Sequence, residues 1–120
     1  VLSGVRPGMR AFDEEIFGPV ATVVSFANDE EAIELANRTE YGLSAGIISP
    51  SVGRAMAIGE RLNCGLLHIN DQTVADECIN PFGGRGSSGN AGSVGGPADW
   101  DEYTQWQWVT IKDTAPRYPF

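Results

Sequence analysis

Three consecutive carboxylates, Asp13, Glu14 and Glu15, run directly into Ile16-Phe17-Gly18-Pro19-Val20. An ionised carboxylate accepts two hydrogen bonds well. The pattern could therefore grip a sugar diol, with the Phe17 ring packed near an attached base. Gly18 allows unusual backbone angles and Pro19 fixes its own φ. Such a turn holds a carboxylate and a ring at a set distance in front of the strand-like run that follows. The competing reading is a solvated acidic turn with Phe17 in the core, since short charge runs are often plain surface. The residues alone leave both open.

Other chemistry-bearing residues are weaker. Gly84-Arg85-Gly86-Ser87-Ser88-Gly89 fits the G-x-G-x-x-G pattern. It follows Pro81-Phe82-Gly83 rather than a strand, and no amphipathic helix opens after it, so a flexible or close-packed glycine loop is the better account. Cys64 is expected at a helix C-terminus, where the dipole raises a thiol pKa. Cys78 follows Asp76 and Glu77, whose charges disfavour a thiolate. His68 is the one histidine, so neither a metal site nor a Ser or Cys triad can be assembled around it. Asn37-Arg38-Thr39 matches a glycosylation sequon, read here as chance.

These residues need elements to position them. Val20 to Phe26 is rich in β-branched residues and predicts a largely buried strand. Asn28 is a good N-cap with Glu31 in capping-box register, predicting a helix to about Arg38 that buries Ala32, Ile33, Leu35 and Ala36. Leu43 to Ile48 is a second strand. Pro50 suits a first helical position. Val52, Ala55, Met56, Gly59 and Leu62 repeat at helical spacing until Gly65 stops that helix. Leu66 to Asn70 is a third strand. The order β-α-β-α-β predicts an α/β fold, a parallel sheet with flanking helices. Ligands then bind beyond the carboxyl ends of the strands, which points to the loop after Asn70. Residues 71–97 are too long a loop for a mere connection. Asp99 to Tyr103 predicts a short helical turn. Gln105 to Ile111 predicts a strand with bulky residues on both faces, which wants a partner surface.

With 120 residues the chain is long enough for one ordinary domain with a core. A net charge of −8, with eight scattered Lys and Arg, supplies no basic patch for nucleic acid or an anionic membrane surface. No apolar run approaches a transmembrane length, and no signal pattern opens the chain. Two cysteines are too few for a disulfide scaffold and predict reduced thiols in a cytoplasmic protein. The chain opens on Val1 rather than Met, as expected of a piece of something longer.

The order of motifs resembles a known family. Glu14-Glu15-Ile16-Phe17-Gly18-Pro19-Val20, Tyr41-Gly42-Leu43-Ser44-Ala45, Gly65 with Asn70, Pro81-Phe82-Gly83-Gly84 and Ser88-Gly89 are similar to the C-terminal quarter of the NAD(P)-dependent aldehyde dehydrogenase superfamily. His68 to Val74, Gln107-Trp108-Val109-Thr110 and Tyr118-Pro119-Phe120 look most like its benzaldehyde, salicylaldehyde and vanillin dehydrogenase branch. The resemblance implies a Rossmann-like parallel sheet over 1–104, the latter part of a catalytic domain, and an oligomerisation strand and tail over 105–120. It implies oxidation of an aromatic aldehyde with NAD or NADP. In that reaction a cysteine thiolate attacks the aldehyde, hydride passes to the nicotinamide, and a glutamate-activated water hydrolyses the thioester.

On that pattern Glu15 matches the glutamate that binds the nicotinamide-side ribose, and Phe17 the aromatic beside the nicotinamide. Val74, Ile79 and Phe82 match the wall of the aldehyde tunnel. Trp106, Trp108, Val109 and Ile111 match the strand of a homo-oligomer, dimer or tetramer. No catalytic residue and no metal ligand is expected in this chain, because the family's nucleophile and general base lie upstream of the matched region. The family often has Ser-Gly-x-Gly-Arg where this chain has Ser88-Gly89-Asn90-Ala91-Gly92-Ser93, so the Arg is missing. Two other classes stay in view: a non-catalytic assembly module, and a small α/β ligand-binding domain.

Overall fold

The computed structural model describes residues 1–119; Phe120, the last residue of the closing Tyr118-Pro119-Phe120 motif, lies outside them. In chain order the elements are β1 (Leu2–Ser3), α1 (Arg10–Asp13), β2 (Thr22–Val23), α2 (Asp29–Asn37), β3 (Tyr41–Gly42), β4 (Ser44–Ile47), α3 (Val52–Gly59), β5 (Leu66–Ile69), β6 (Arg85–Gly86) and α4 (Ala98–Tyr103). The content is α/β, as expected.

The expected single sheet is instead three two-stranded ladders. β4 and β5 pair in parallel with α3 between them in sequence, which is one βα-β unit of the predicted kind. β2 does not join it. It pairs in parallel with β1, Leu2 opposite Thr22, an element too short to announce itself in the sequence. β3 pairs antiparallel with β6.

The strand expected over 20–26 shrinks to Thr22–Val23, and both residues are exposed. Its start is delayed because the Val20 N–H donates to Gly18 O at 2.7 Å, a γ-turn that withholds Val20 from a ladder. The capping box expected at the start of α2 forms. Asn28 Oδ1 accepts from the Glu31 N–H at 3.0 Å, and Glu31 Oε2 accepts from the Ala27 N–H at 2.6 Å. These bonds satisfy backbone donors that a helix N-terminus leaves orphaned.

α3 departs from its expected ends. Pro50 precedes the helix; the N-cap is Ser51, whose Oγ accepts from the Arg54 N–H at 3.3 Å, a bond proline cannot supply. The helix closes at Gly59 rather than at Gly65. The Arg61 and Leu62 N–H groups donate to Ile58 O and Gly59 O, tightening the last turn into 3₁₀ geometry. Asp29 and Glu30 on α2 pair with Arg54 on α3 and with Arg61 just beyond its end; Arg61 Nη1 and Nη2 each donate to Glu30 at 2.6 Å. Both carboxyls are held below their ordinary range by those hydrogen bonds.

The largest correction concerns the core. Among the described residues the buried hydrophobics are Val5, Ile33 and Ala55. Of the four residues expected inside from α2, only Ile33 is buried, and Ala36 is exposed. The Cα radius of gyration is 21.7 Å, against about 14 Å for a compact domain of this length. The chain extends 75 Å along its long axis. Sufficient length did not bring a core, because the apolar faces of the ladders and helices have too few partners within these residues.

Candidate functional site

The acidic stretch is built on a helix missed in the sequence. α1 carries Arg10, whose Nε and Nη2 donate to the Glu14 carboxylate at 2.9 Å. The spacing is i, i+4, one helical turn, and that signal was legible. The hydrogen bonds and the guanidinium charge hold the Glu14 carboxyl below its ordinary value. Glu14 is therefore occupied. Glu15, on the turn just beyond, makes no hydrogen bond or ion pair among the described residues. It lines a cavity of 430 Å³ with Asp13, Glu14, Asn37, Tyr41, Cys64 and Ser88.

Phe17 is 96% exposed, which overturns the reading that placed it in the core. It does not line the cavity; it stands two residues from Glu15 with its ring in solvent. An unpaired carboxylate and an open ring on one short turn fit a ligand with a diol and a flat heteroaromatic group.

The cavity floor is held from both sides. Asn37 Nδ2 donates to Arg61 O and Asn37 Oδ1 accepts from the Asn63 N–H, both at 2.8 Å. The amide that the sequon would offer is thus engaged in structure. The Gly42 N–H donates to Ser88 Oγ at 3.1 Å, tying β3 to the glycine-rich loop. Arg85 Nε donates to Cys64 O at 2.9 Å.

Cys64 is half-buried and its thiol is pushed up by burial, more than Arg85 and the Ala45 N–H pull it down. The direction agrees with the sequence reading; the cause differs, because α3 ends five residues earlier. A thiol held protonated is a poor nucleophile. Cys78 is exposed. His68 lies on β5 with its Nε2 buried and without a hydrogen-bond partner among the described residues. Among those residues no cluster of three or more His, Cys, Asp or Glu could hold a metal ion. No helix among them is long and apolar enough to cross a membrane.

The G-x-G-x-x-G run behaves as close-packed loop. Arg85–Gly86 is β6, and the Ser88 and Gly89 N–H groups turn back onto Arg85 O and Gly86 O. No helix opens before Ala98. At the missing-Arg position the chain makes its own turn: the Gly92 N–H donates to Asn90 Oδ1 at 3.0 Å, with Ala91 at φ 71 between them.

Val74, Ile79 and Phe82 are all exposed, and the structure does not bring the three together into one cavity. Phe82 pairs with Val94 across an isolated bridge and lines a 240 Å³ cavity with Leu43 and Ser88. The strand expected at Gln105 to Ile111 is not formed, since no ladder partner exists for it among the described residues. Trp106, Trp108, Val109 and Ile111 are exposed there, Trp106 and Trp108 almost fully.

Residues 1–109 match the model of the aldehyde dehydrogenase family. The chain is 48% identical over its full length to the benzaldehyde dehydrogenase [NAD(+)] of Pseudomonas putida, covering 25% of that protein. It is 46% identical, again over its full length, to a vanillin dehydrogenase of an Amycolatopsis species, covering 25% of it. A crystal structure of a salicylaldehyde dehydrogenase from Pseudomonas putida G7 complexed with salicylaldehyde superposes with a TM-score of 0.85 at 39% identity, over 98% of this chain and 24% of that one. The chain therefore spans about a quarter of the length of these relatives. It belongs to the aldehyde dehydrogenase family.

Proposed function

We propose that this chain is the C-terminal part of an NAD(P)-dependent dehydrogenase that oxidises an aromatic aldehyde to the carboxylic acid. The observation that carries the reading is the acidic turn. In a chain 48% identical to a benzaldehyde dehydrogenase, Arg10 occupies Glu14 and leaves Glu15 unpaired at the edge of a cavity. When bound, the nicotinamide cofactor supplies the hydride acceptor. Glu15 accepts hydrogen bonds from the adjoining ribose hydroxyls and fixes their orientation, and Phe17 offers its ring as an apolar face beside the flat group. Val74, Ile79 and Phe82 are assigned to the aldehyde side by the family match, although among the described residues they stand exposed and are not gathered into one cavity. None of the chain's own side chains makes or breaks a bond to the substrate. Residues 1–104 belong to the catalytic domain and 105–120 to the assembly segment, and the thiols fit a cytoplasmic setting.

The full-length protein is expected to form NADH from benzaldehyde and NAD+, while residues 1–120 alone form none. A burst of NADH from the isolated residues would overturn the assignment of nucleophile and base to other parts of the enzyme. Absence of turnover in the full-length protein with any aromatic aldehyde would overturn the substrate class.

A second role rests on a different observation, the exposed Trp106, Trp108, Val109 and Ile111 with no ladder partner among the described residues. An extended segment of this kind adds to the sheet edge of another subunit, and its backbone groups gain partners there. Sedimentation equilibrium should find a homo-oligomer for the full-length protein and a smaller species once 105–120 are removed. An unchanged mass after that truncation would rule the segment out as the joint.

A further inference from the structure

Asn70 is the first residue beyond β5, and its φ of 57 lies in the left-handed region. Asparagine tolerates that region better than other residues with a Cβ. Its N–H donates to Ile47 O at 2.9 Å, extending the β4–β5 ladder by one rung. Its side chain then pairs with one residue from both sides. Oδ1 accepts from the Ser49 N–H at 2.8 Å, and Nδ2 donates to Ser49 O at 2.9 Å. The amide thus does for Ser49 what a neighbouring strand would do.

The chain reverses there and crosses β4. Asp71 Oδ1 accepts from the Gln72 N–H at 2.8 Å. Ser44 Oγ donates to Thr73 O at 3.2 Å. A Cβ on Gly46 would stand 3.1 Å from Thr73 Cγ2, so Thr73 lies over the strand where a side chain is missing. The next residue is Val74, which is 72% exposed and has little of its own to hold it. Its placement depends on the anchors behind it, at Ser49, Gly46 and Ser44.

We infer that Asn70, with Gly46 as its seat, aims residues 71–82 and is a positioning residue for the aldehyde end of the site. The inference rests on the dehydrogenase reading above. Asn70 touches no substrate in this scheme; it acts through the direction it gives the loop. Misdirecting an apolar wall weakens discrimination of the group it faces, by an amount comparable to losing a methylene contact.

The test uses the full-length enzyme. Asn70→Gly keeps the left-handed backbone and deletes both bonds to Ser49. It is expected to raise the KM for benzaldehyde about tenfold, with the KM for NAD+ and the thermal midpoint little changed. Hydrogen exchange at the Ser49 amide should accelerate in the same variant. Gly46→Val pushes Thr73 away without touching Asn70 and should give the same aldehyde-only rise. A benzaldehyde KM that stays put while Ser49 exchanges faster overturns the inference, because the clamp then exists without aiming the loop. A joint rise in both KM values overturns it as well, pointing to general loosening. A wild-type enzyme that oxidises no aldehyde overturns the dehydrogenase reading and this inference with it, and is told apart because it appears before any substitution is made.

Discussion

Gly65→Ala in the full-length enzyme is expected to lower stability by about 3 kcal/mol or more, at the upper end of what forcing atoms into a packed site costs. A Cβ built at Gly65 stands 1.7 Å from Gly83 O and 2.8 Å from Gly83 C, with Gly84 Cα at 3.3 Å. All three neighbours are backbone, so no side chain can rotate out of the way. The Gly65 N–H also donates to Gly42 O at 3.0 Å, which pins that residue from the other side. Retreat therefore means separating the β5 entry from the 81–84 loop and opening the cavities that they share. Urea unfolding measures the effect. Gly53→Ala is the control: it lies inside α3 with nothing within 4 Å of its built Cβ, and the change should stabilise by roughly 0.5–1 kcal/mol through helix propensity. Two glycine-to-alanine changes with opposite signs would tie the loss to the close approach. Equal midpoints for Gly65→Ala and wild type would mean that the loop stands off without cost.

Glu15→Gln is expected to slow hydride transfer by roughly 10- to 100-fold, the range covered by losing charge-assisted hydrogen bonds. Glu15 stands on the turn that follows α1, makes no ion pair among the described residues and lines the cavity, whose wall also carries Asp13 and Glu14. Glu14→Gln should leave the hydride rate nearly unchanged, because Glu14 is committed to Arg10 and that exposed pair matters little. Single-turnover NADH formation at saturating NAD+ and benzaldehyde separates the two. Equal rates for wild type and Glu15→Gln would remove Glu15 from the site. A loss in Glu14→Gln as large as that in Glu15→Gln would say that the turn acts as a whole, with no privileged carboxylate.

Local chemistry was legible in the sequence and tertiary pairing was not. The Asn28–Glu31 capping pair announced α2 because both partners lie within one turn of each other. The β4–α3–β5 unit was legible because its hydrophobic period switches from strand to helix and back. Gly18 and Pro19 marked a turn, yet the bond from Val20 to Gly18 that shortened β2 is a matter of one backbone angle. β1 was invisible, since two residues carry no period. Pro50 suits a helix start by its fixed φ, but Ser51 supplies the cap hydrogen bond that proline lacks, so the helix begins at Val52. For the site, residue type alone did not separate Asp13, Glu14 and Glu15; the resemblance to the family did, by matching Glu15. Arg10, one helical turn upstream, distinguishes Glu14 from Glu15; the i, i+4 spacing carries that signal, but a four-residue helix shows no period that would draw the eye to it. Gly84 and Gly89 pack within the loop, but Gly86, Gly95 and Gly96 press against Glu40, Asn80 and Ile79, and those distant backbone contacts leave no mark in the sequence.

The scant interior of the chain has a consequence for concentration. With Val5, Ile33 and Ala55 as the buried hydrophobics among the described residues, these elements bury little apolar surface among themselves, and a cover over their outward-facing apolar side chains would add most of their stability. A cover on the same polypeptide is present at an effective concentration on the order of millimolar, at every dilution. A cover supplied by a separate molecule acts by mass action, and stabilises only as the logarithm of its free concentration over its Kd. The same 120 residues would thus be indifferent to dilution when joined to their cover and would lose about 1.4 kcal/mol for each tenfold dilution of a cover supplied separately.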